Sequence, residues 1–197
     1  MTSITPHTKA LRRSRGFSMV EVMVAAGISA FILVGILQTF LMIGRTGYNA
    51  ANYSLMEAES RRAMEVFSQE IRMARNITWN SSSSITLIVP TSGSNITVTY
   101  AYDNSTTGPT AQSFYRVLGN ATSSAHRRVL VRNITSFAFQ RYKLVTGTST
   151  SNVASNDLET KQIQLTFQTT MKGVTAAAAT NAVLSARYIL RNKSVSA

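Results

Sequence analysis

The sequence predicts an α+β fold: a long N-terminal α-helix, apolar in its first half and amphipathic in its second, packed on an antiparallel β-sheet domain. Three observations predict it. Residues 17–44 form an apolar block whose single charge is Glu21. Residues 45–78 turn polar but keep apolar side chains at helical spacing. Beyond them come short β-branched runs separated by Gly, Pro, Ser and Asn, the pattern of hairpins rather than of further helices. The organisation that follows is a leader at 1–16, an apolar transmembrane or assembly helix at 17–44, an amphipathic helical half at 45–78, and a β-rich globular domain at 79–197.

The leader is polar and basic, with Lys9, Arg12, Arg13 and Arg15, one proline (Pro6) and no acid. As a helix rising 1.5 Å per residue, the block 17–44 would extend about 42 Å, enough to cross a bilayer. A secretory signal has an apolar core of roughly 7–15 residues and then a small-x-small cleavage site. The block is too long for that. A plain anchor fits its length, and the basic leader would keep the N-terminus cytoplasmic. An anchor gives no reason for Glu21, because a carboxylate in the hydrocarbon region costs about 3 kcal/mol. The plainest reading of Glu21 is a carboxylate at the positive end of the helix macrodipole.

In the second helical half Leu55, Ala63, Val66, Phe67, Ile71 and Ala74 outline one apolar face, and the helix reads as continuous through Ile77. Glu57–Arg61 and Arg61–Glu65 at i,i+4, with Glu59–Arg62 at i,i+3, mark the solvated side. Strands are expected at 84–89 and 95–100, joined by a turn at 90–94, and then at 113–118, 128–131 and 134–144. Residues 146–157 read as a mobile Ser/Thr/Asn-rich loop. A half-buried strand follows at 161–170, with Ile163, Leu165 and Phe167 on one face, and a final strand at 182–191. The alanine-rich stretch 173–180 fits either state.

The formal charge is +12, from 20 Lys and Arg against 8 Asp and Glu. Such a balance favours anionic partners, nucleic acid or phospholipid headgroups among them. Arg127, Arg128, Arg132, Arg141 and Lys143, with Lys172 and the rings of Tyr115 and Tyr142 near in sequence, are a candidate anion or DNA contact. The competing readings are a solvated basic surface and a match for an acidic neighbouring subunit.

The absence of cysteine excludes disulfides, thiolate metal sites and a Cys nucleophile. With only His7 and His126, the usual zinc ligand sets cannot form. There is no Gly-rich phosphate loop and no G-x-S-x-G. Asp103 and Asp157 read as solvated loop carboxylates. The chain is therefore expected to be no enzyme and to carry no cofactor or metal.

The run Arg15-Gly16-Phe17-Ser18-Met19-Val20-Glu21-Val22-Met23-Val24-Ala25 resembles the prepilin signature of type IV pilin-like proteins. The resemblance implies a membrane prepilin peptidase/methyltransferase that cuts between Gly16 and Phe17 and methylates the new N-terminal Phe17. It implies that Glu21 pairs with the Phe17 amine of a neighbouring subunit and sets the axial register. Other major and minor pilin-like subunits would then be partners through the N-terminal helix. The expected location is the bacterial inner membrane, single-pass with an extracytoplasmic C-terminal domain, and then a periplasmic or cell-surface filament.

Major pilins commonly kink this helix with a proline, and residues 36–39 have none. The stretches 61–75, 131–137 (Val-x-Asn-Ile-x-x-Phe) and 187–192 resemble PilW-like minor pilins and the J-type minor pseudopilins of type II secretion. That likeness implies a minor subunit acting in tip assembly or initiation. The alternative is a minor pilin of a DNA-uptake pilus that binds DNA or a surface through its basic face.

Overall fold

The computed structural model describes residues 16–145, 151–171 and 180–194. One helix, α1 (Met19–Met73), precedes eight strands: β1 (Asn76–Ser81), β2 (Ser84–Thr91), β3 (Ser94–Asp103), β4 (Ser113–Leu118), β5 (Arg128–Val131), β6 (Ile134–Tyr142), β7 (Gln162–Met171) and β8 (Thr180–Ile189). The strands form two antiparallel sheets, β1-β2-β3-β4-β5 and β6-β7-β8. The α+β expectation holds, with two sheets in place of one. The chain divides into two compact units, Met1–Gly44 and Arg45–Ala197.

In the first unit every described side chain is exposed. Its helix includes a window of mean hydropathy 2.4 that is long and apolar enough to cross a membrane. The few hydroxyls there turn back on the helix. Ser29 Oγ donates to the Ala25 carbonyl at 2.7 Å, and Thr39 Oγ1 to the Gly35 carbonyl at 2.9 Å. Such back-bonding leaves little polar surface to face an apolar solvent.

In the second unit the helix buries Asn52, Met56, Ser60, Ala63, Met64, Phe67 and Ile71, a stripe stepping by three and four residues. Phe67 joins the two sheets. Its ring lies edge-on to Tyr100 of β3 at 4.9 Å and to Tyr188 of β8 at 5.3 Å, and it also meets Phe114 of β4 and Phe139 of β6. Burying one such ring is worth about 1.5–3 kcal/mol, and each aromatic pair adds roughly 0.5–1.5. Leu55, expected on the apolar face, is 60% exposed; Met56 takes its place. The stripe's upper end is the polar pair Asn52 and Ser60, so counting apolar residues alone misplaced it by one position.

A partly buried ion pair ties helix to sheet. Glu70 receives the Arg116 guanidinium of β4 at 2.8 Å and the Tyr100 hydroxyl at 2.6 Å. Burial, reinforced by the Glu70 charge and hydrogen bond, pushes the Tyr100 phenol well above its usual range. Of the three charge pairs expected on the helix surface, only Glu57–Arg61 closes, at 2.6 Å, among the described residues.

The helix ends at Met73, not Ile77. Arg75 N–H already donates to the Ile88 carbonyl of β2, and Ile77 pairs with Leu87 as a buried strand residue. Asn192, beyond β8, donates its side-chain amide to the Met73 carbonyl and satisfies one open group of the helix end. Residues 76–78, assigned from sequence to the helical half, thus belong to β1, a strand that the helical pattern had hidden. The β-branched Ile77 and Thr78 gain more from sheet pairing than from another helical turn.

The remaining strands fall close to their expected positions. β4 and β5 coincide with 113–118 and 128–131, while β6 stops at Tyr142 instead of Leu144. The 90–94 turn tightens to Ser92-Gly93 between paired Thr91 and Ser94, with Gly93 at φ +105°. At Gly119, φ is +101° and a Cβ would stand 2.8 Å from Ser123 Oγ, so only glycine fits. Val131 and Ile134, both buried, end β5 and begin β6; between them Asn133 sits at φ 56° where the chain passes from one sheet to the other.

The loop expected at 146–157 is only partly described, since 146–150 lie outside the described residues, as does most of 173–180. From Ser151 on it is held rather than mobile. Val153 bridges to Tyr142, Lys143 N–H donates to the Asn152 carbonyl, and Ala154 is buried. Lys193, also buried, donates Nζ to the Leu158 carbonyl. Burial and the neighbouring Lys161 charge hold its ammonium below the usual lysine range.

Candidate functional site

Gly16, Phe17 and Ser18 precede the first helical turn, and all three are exposed. Ser18 N–H donates to Glu21 Oε2 at 2.9 Å, and Glu21 N–H donates to Ser18 Oγ at 3.2 Å. This is a reciprocal capping box, in which each side chain satisfies the other residue's backbone donor. The Ser-x-x-Glu spacing is plain in the sequence and adds Ser18 to the expected Gly16, Phe17 and Glu21. The cap starts the helix at Met19 and leaves the Gly16–Phe17 peptide bond in non-helical chain ahead of it. A Cβ at Gly16 would meet nothing within 4 Å. That space is open among the described residues only.

Around this segment the surface is apolar. Phe17 is 87% exposed, and Met19, Met23 and Phe31 are similarly open. Glu21 is the sole charged group of the apolar block, and its cap employs one of its two carboxylate oxygens.

The five basic residues singled out from the sequence do not gather in one place. Arg127, Arg128 and Arg132 line a cleft of about 750 Å³ together with Asp103, Thr110 and His126. Arg141 instead meets Asp157 at 3.0 Å, donates to the Ser155 carbonyl at 2.6 Å, and lies over the Trp79 ring at 5.1 Å. Lys143 stands 3.9 Å from Glu159. Both are neutralised by acids, because the 151–159 segment folds back over the end of β6. Lys172 lies outside the described residues. Neither Asp103 nor Asp157 is merely solvated. Asp103 accepts from Thr110 Oγ1 at 2.6 Å and from Ser105 N–H at 3.0 Å, and the Thr110 bond leads in lowering its pKa. Asp157 accepts from Arg141 and from Trp79 N–H.

A family model described as the prokaryotic N-terminal methylation motif matches residues 11–37. The match begins in the basic leader, crosses Gly16–Phe17 and Glu21, and ends in the apolar helix. No curated protein matches the chain. The chain thus carries the signature of type IV pilin-like precursors at its N-terminus, joined to an α+β unit whose helix packs on antiparallel sheets.

Proposed function

We propose that the chain is a structural, non-catalytic subunit of a type IV pilus or type II secretion filament, cut between Gly16 and Phe17 and methylated on Phe17. The observation that carries this reading is the pairing of a Gly-Phe bond just ahead of a helix start with a single carboxylate in an otherwise apolar, exposed helix. Such a surface needs lipid before assembly and neighbouring helices afterwards. The freed Phe17 ammonium and the Glu21 carboxylate would each be strongly penalised alone in a dry helix bundle, so pairing between subunits sets their register.

Within that class the chain is a minor subunit acting at the tip or in initiation. The apolar helix lacks the proline of major pilins, and the stretch 131–137 that resembles PilW-like proteins is the passage between the two sheets, anchored by buried Val131 and Ile134.

Mass spectrometry of the protein from cells that contain the peptidase tests the reading. The expected N-terminus is N-methylated Phe17. Gly16→Leu should leave the precursor uncut, while Glu21→Gln should be cut normally yet be lost from sheared filaments. A mature N-terminus elsewhere sinks the proposal, as does normal incorporation of Glu21→Gln. Copy numbers comparable to the main filament subunit would overturn the minor assignment alone.

A further inference from the structure

The edges of the two sheets are treated differently. In the five-stranded sheet, β5 has only four residues, and β1 is met by Asp157, whose Oδ2 accepts from Trp79 N–H at 3.1 Å. In the three-stranded sheet, β6 is met by the β1–β2 turn, where the Ser82 carbonyl accepts from Phe139 N–H at 2.7 Å. Short strands and covering segments of this kind blunt an edge against pairing with another chain. β8 has neither. It is ten residues long, contains no proline, and pairs with β7 from Thr180 to Ile189 without a bulge.

The β7–β8 ladder defines which groups of β8 are left over. Leu190 N–H donates to the Lys161 carbonyl at 2.9 Å, in line with the Gln162–Ile189 pair. Backbone groups alternate between the two edges of a strand, so those of Val183, Ser185, Arg187 and Ile189 face away from β7. Among the described residues, no backbone hydrogen bond from outside the sheet ends on these four. The edge is open to solvent: Leu184, Ala186 and Tyr188 are only partly buried, whereas Ile163, Leu165 and Phe167 beside them on β7 are buried. No charge guards it. Arg187, the one charged residue of the strand, reaches back across the sheet, donating to Gln164 Oε1 of β7 at 3.0 Å and lying 3.8 Å over the Tyr142 ring of β6.

The outward row is self-complementary. Antiparallel pairing of two copies about Ala186 sets Val183 of each copy opposite Ile189 of the other, and Ser185 opposite Arg187. Val183 is 66% and Ile189 48% exposed, so two open apolar side chains cover each other at each end of the seam. The two Arg187 side chains do not stand opposite one another, and no acid is needed to balance them. The outward backbone groups would form about eight hydrogen bonds across the seam.

We propose that β8 is the seam of a homodimer, in which two copies pair antiparallel about Ala186 and join their three-stranded sheets into one. The surface belongs to the globular unit and stands independently of the filament assignment.

The test uses the full chain in neutral detergent, with light scattering to measure protein mass across a dilution series. The parent should weigh as two chains. Val183→Lys/Ile189→Lys changes only exposed side chains and sets like charges face to face, so it should need at least about tenfold more protein to dimerise. Ser185→Pro removes an outward donor that takes no part in the β7 ladder, so it should weaken the dimer while leaving the near-ultraviolet circular dichroism unchanged. Because the chain has no cysteine, introduced thiols report the register directly. Differently tagged Val183→Cys and Ile189→Cys chains, mixed and oxidised, should form the mixed disulfide in excess over either self-disulfide, since such a pair holds its Cα atoms about 5.5 Å apart. Leu118→Cys, exposed on the other sheet, should not cross-link to Ile189→Cys. The proposal is overturned by a parent that stays monomeric, by a double-lysine variant that dimerises as tightly as the parent, or by a mixed disulfide no more abundant than the self-disulfides.

Discussion

The apolar helix up to Gly44 and the unit from Arg45 onward treat apolar side chains in opposite ways. In the first, Phe17 and Phe31 are more than four-fifths exposed and no described side chain is buried. In the second, Phe67, Phe114, Phe139 and Phe167 are buried almost completely, on one helix stripe and on strands of both sheets. The same residue type meets two solvents. The globular unit supplies its own apolar medium by laying sheets on a helix. The N-terminal helix supplies none, and its hydroxyls bond inward, as a segment destined for lipid or for other helices requires. Folding of one unit is thus complete within the chain, whereas burial of the other waits on partners.

The strongest way to break this contrast is a matched pair of truncations. Phe67→Ala should cost about 3–5 kcal/mol, because the ring bridges both sheets and the cavity cannot close without moving either. Phe31→Ala should leave the unfolding of the globular unit unchanged. Denaturant titration followed by near-ultraviolet circular dichroism on the detergent-solubilised chain measures both. Equal losses would mean that the two regions share one core.

A second, smaller effect sharpens the comparison through charge. Glu21 is exposed in the apolar helix, while Glu70 is largely covered and fully engaged by Arg116 and Tyr100. Glu70→Gln should cost about 2–3 kcal/mol, because it leaves the guanidinium partly buried without its counter-charge. Glu21→Gln should not alter the unfolding midpoint of the globular unit. The same cluster sets an alkaline limit. The folded pKa of Tyr100 lies above the ordinary phenol value of 10.0, so the stabilisation is complete below about pH 10 and is lost as pH rises from there. Tyr100→Phe should remove that part of the alkaline slope.

Much of this was legible in the sequence, for identifiable reasons. Ile163, Leu165 and Phe167 alternate with polar residues and are buried as expected, because a half-buried strand writes its period directly into the chain. The N-terminal methylation motif was legible because Gly16, Phe17 and Glu21 stand out around an apolar block. β1 was not, since 76–78 follow a helical pattern without a break and only pairing with β2 reveals the strand. Division into two sheets was equally hidden, for it depends on Asn133 turning at φ 56° between two buried residues. The basic face looked like one set of five because sequence shows cations without their partners. Asp157, at the end of the segment that reads as a mobile loop, and Glu159 just beyond it pair with Arg141 and Lys143 and set them apart.

The smallest expected effect concerns Asp103, which lines one cleft with Arg127, Arg128 and Arg132. Its hydrogen bonds from Thr110 and Ser105, with the Arg127 charge, hold its carboxyl below the ordinary value of 3.8. A depressed folded pKa contributes stability that is present above about pH 4 and fades as pH falls through the folded value. Solvent reaches this group, so the contribution is at most about 1 kcal/mol. Asp103→Asn should therefore be slightly less stable at neutral pH, and the difference should vanish on acidification. Parallel denaturant titrations at pH 7 and pH 2.5 would read it, and a difference that grows toward acid would contradict the assignment.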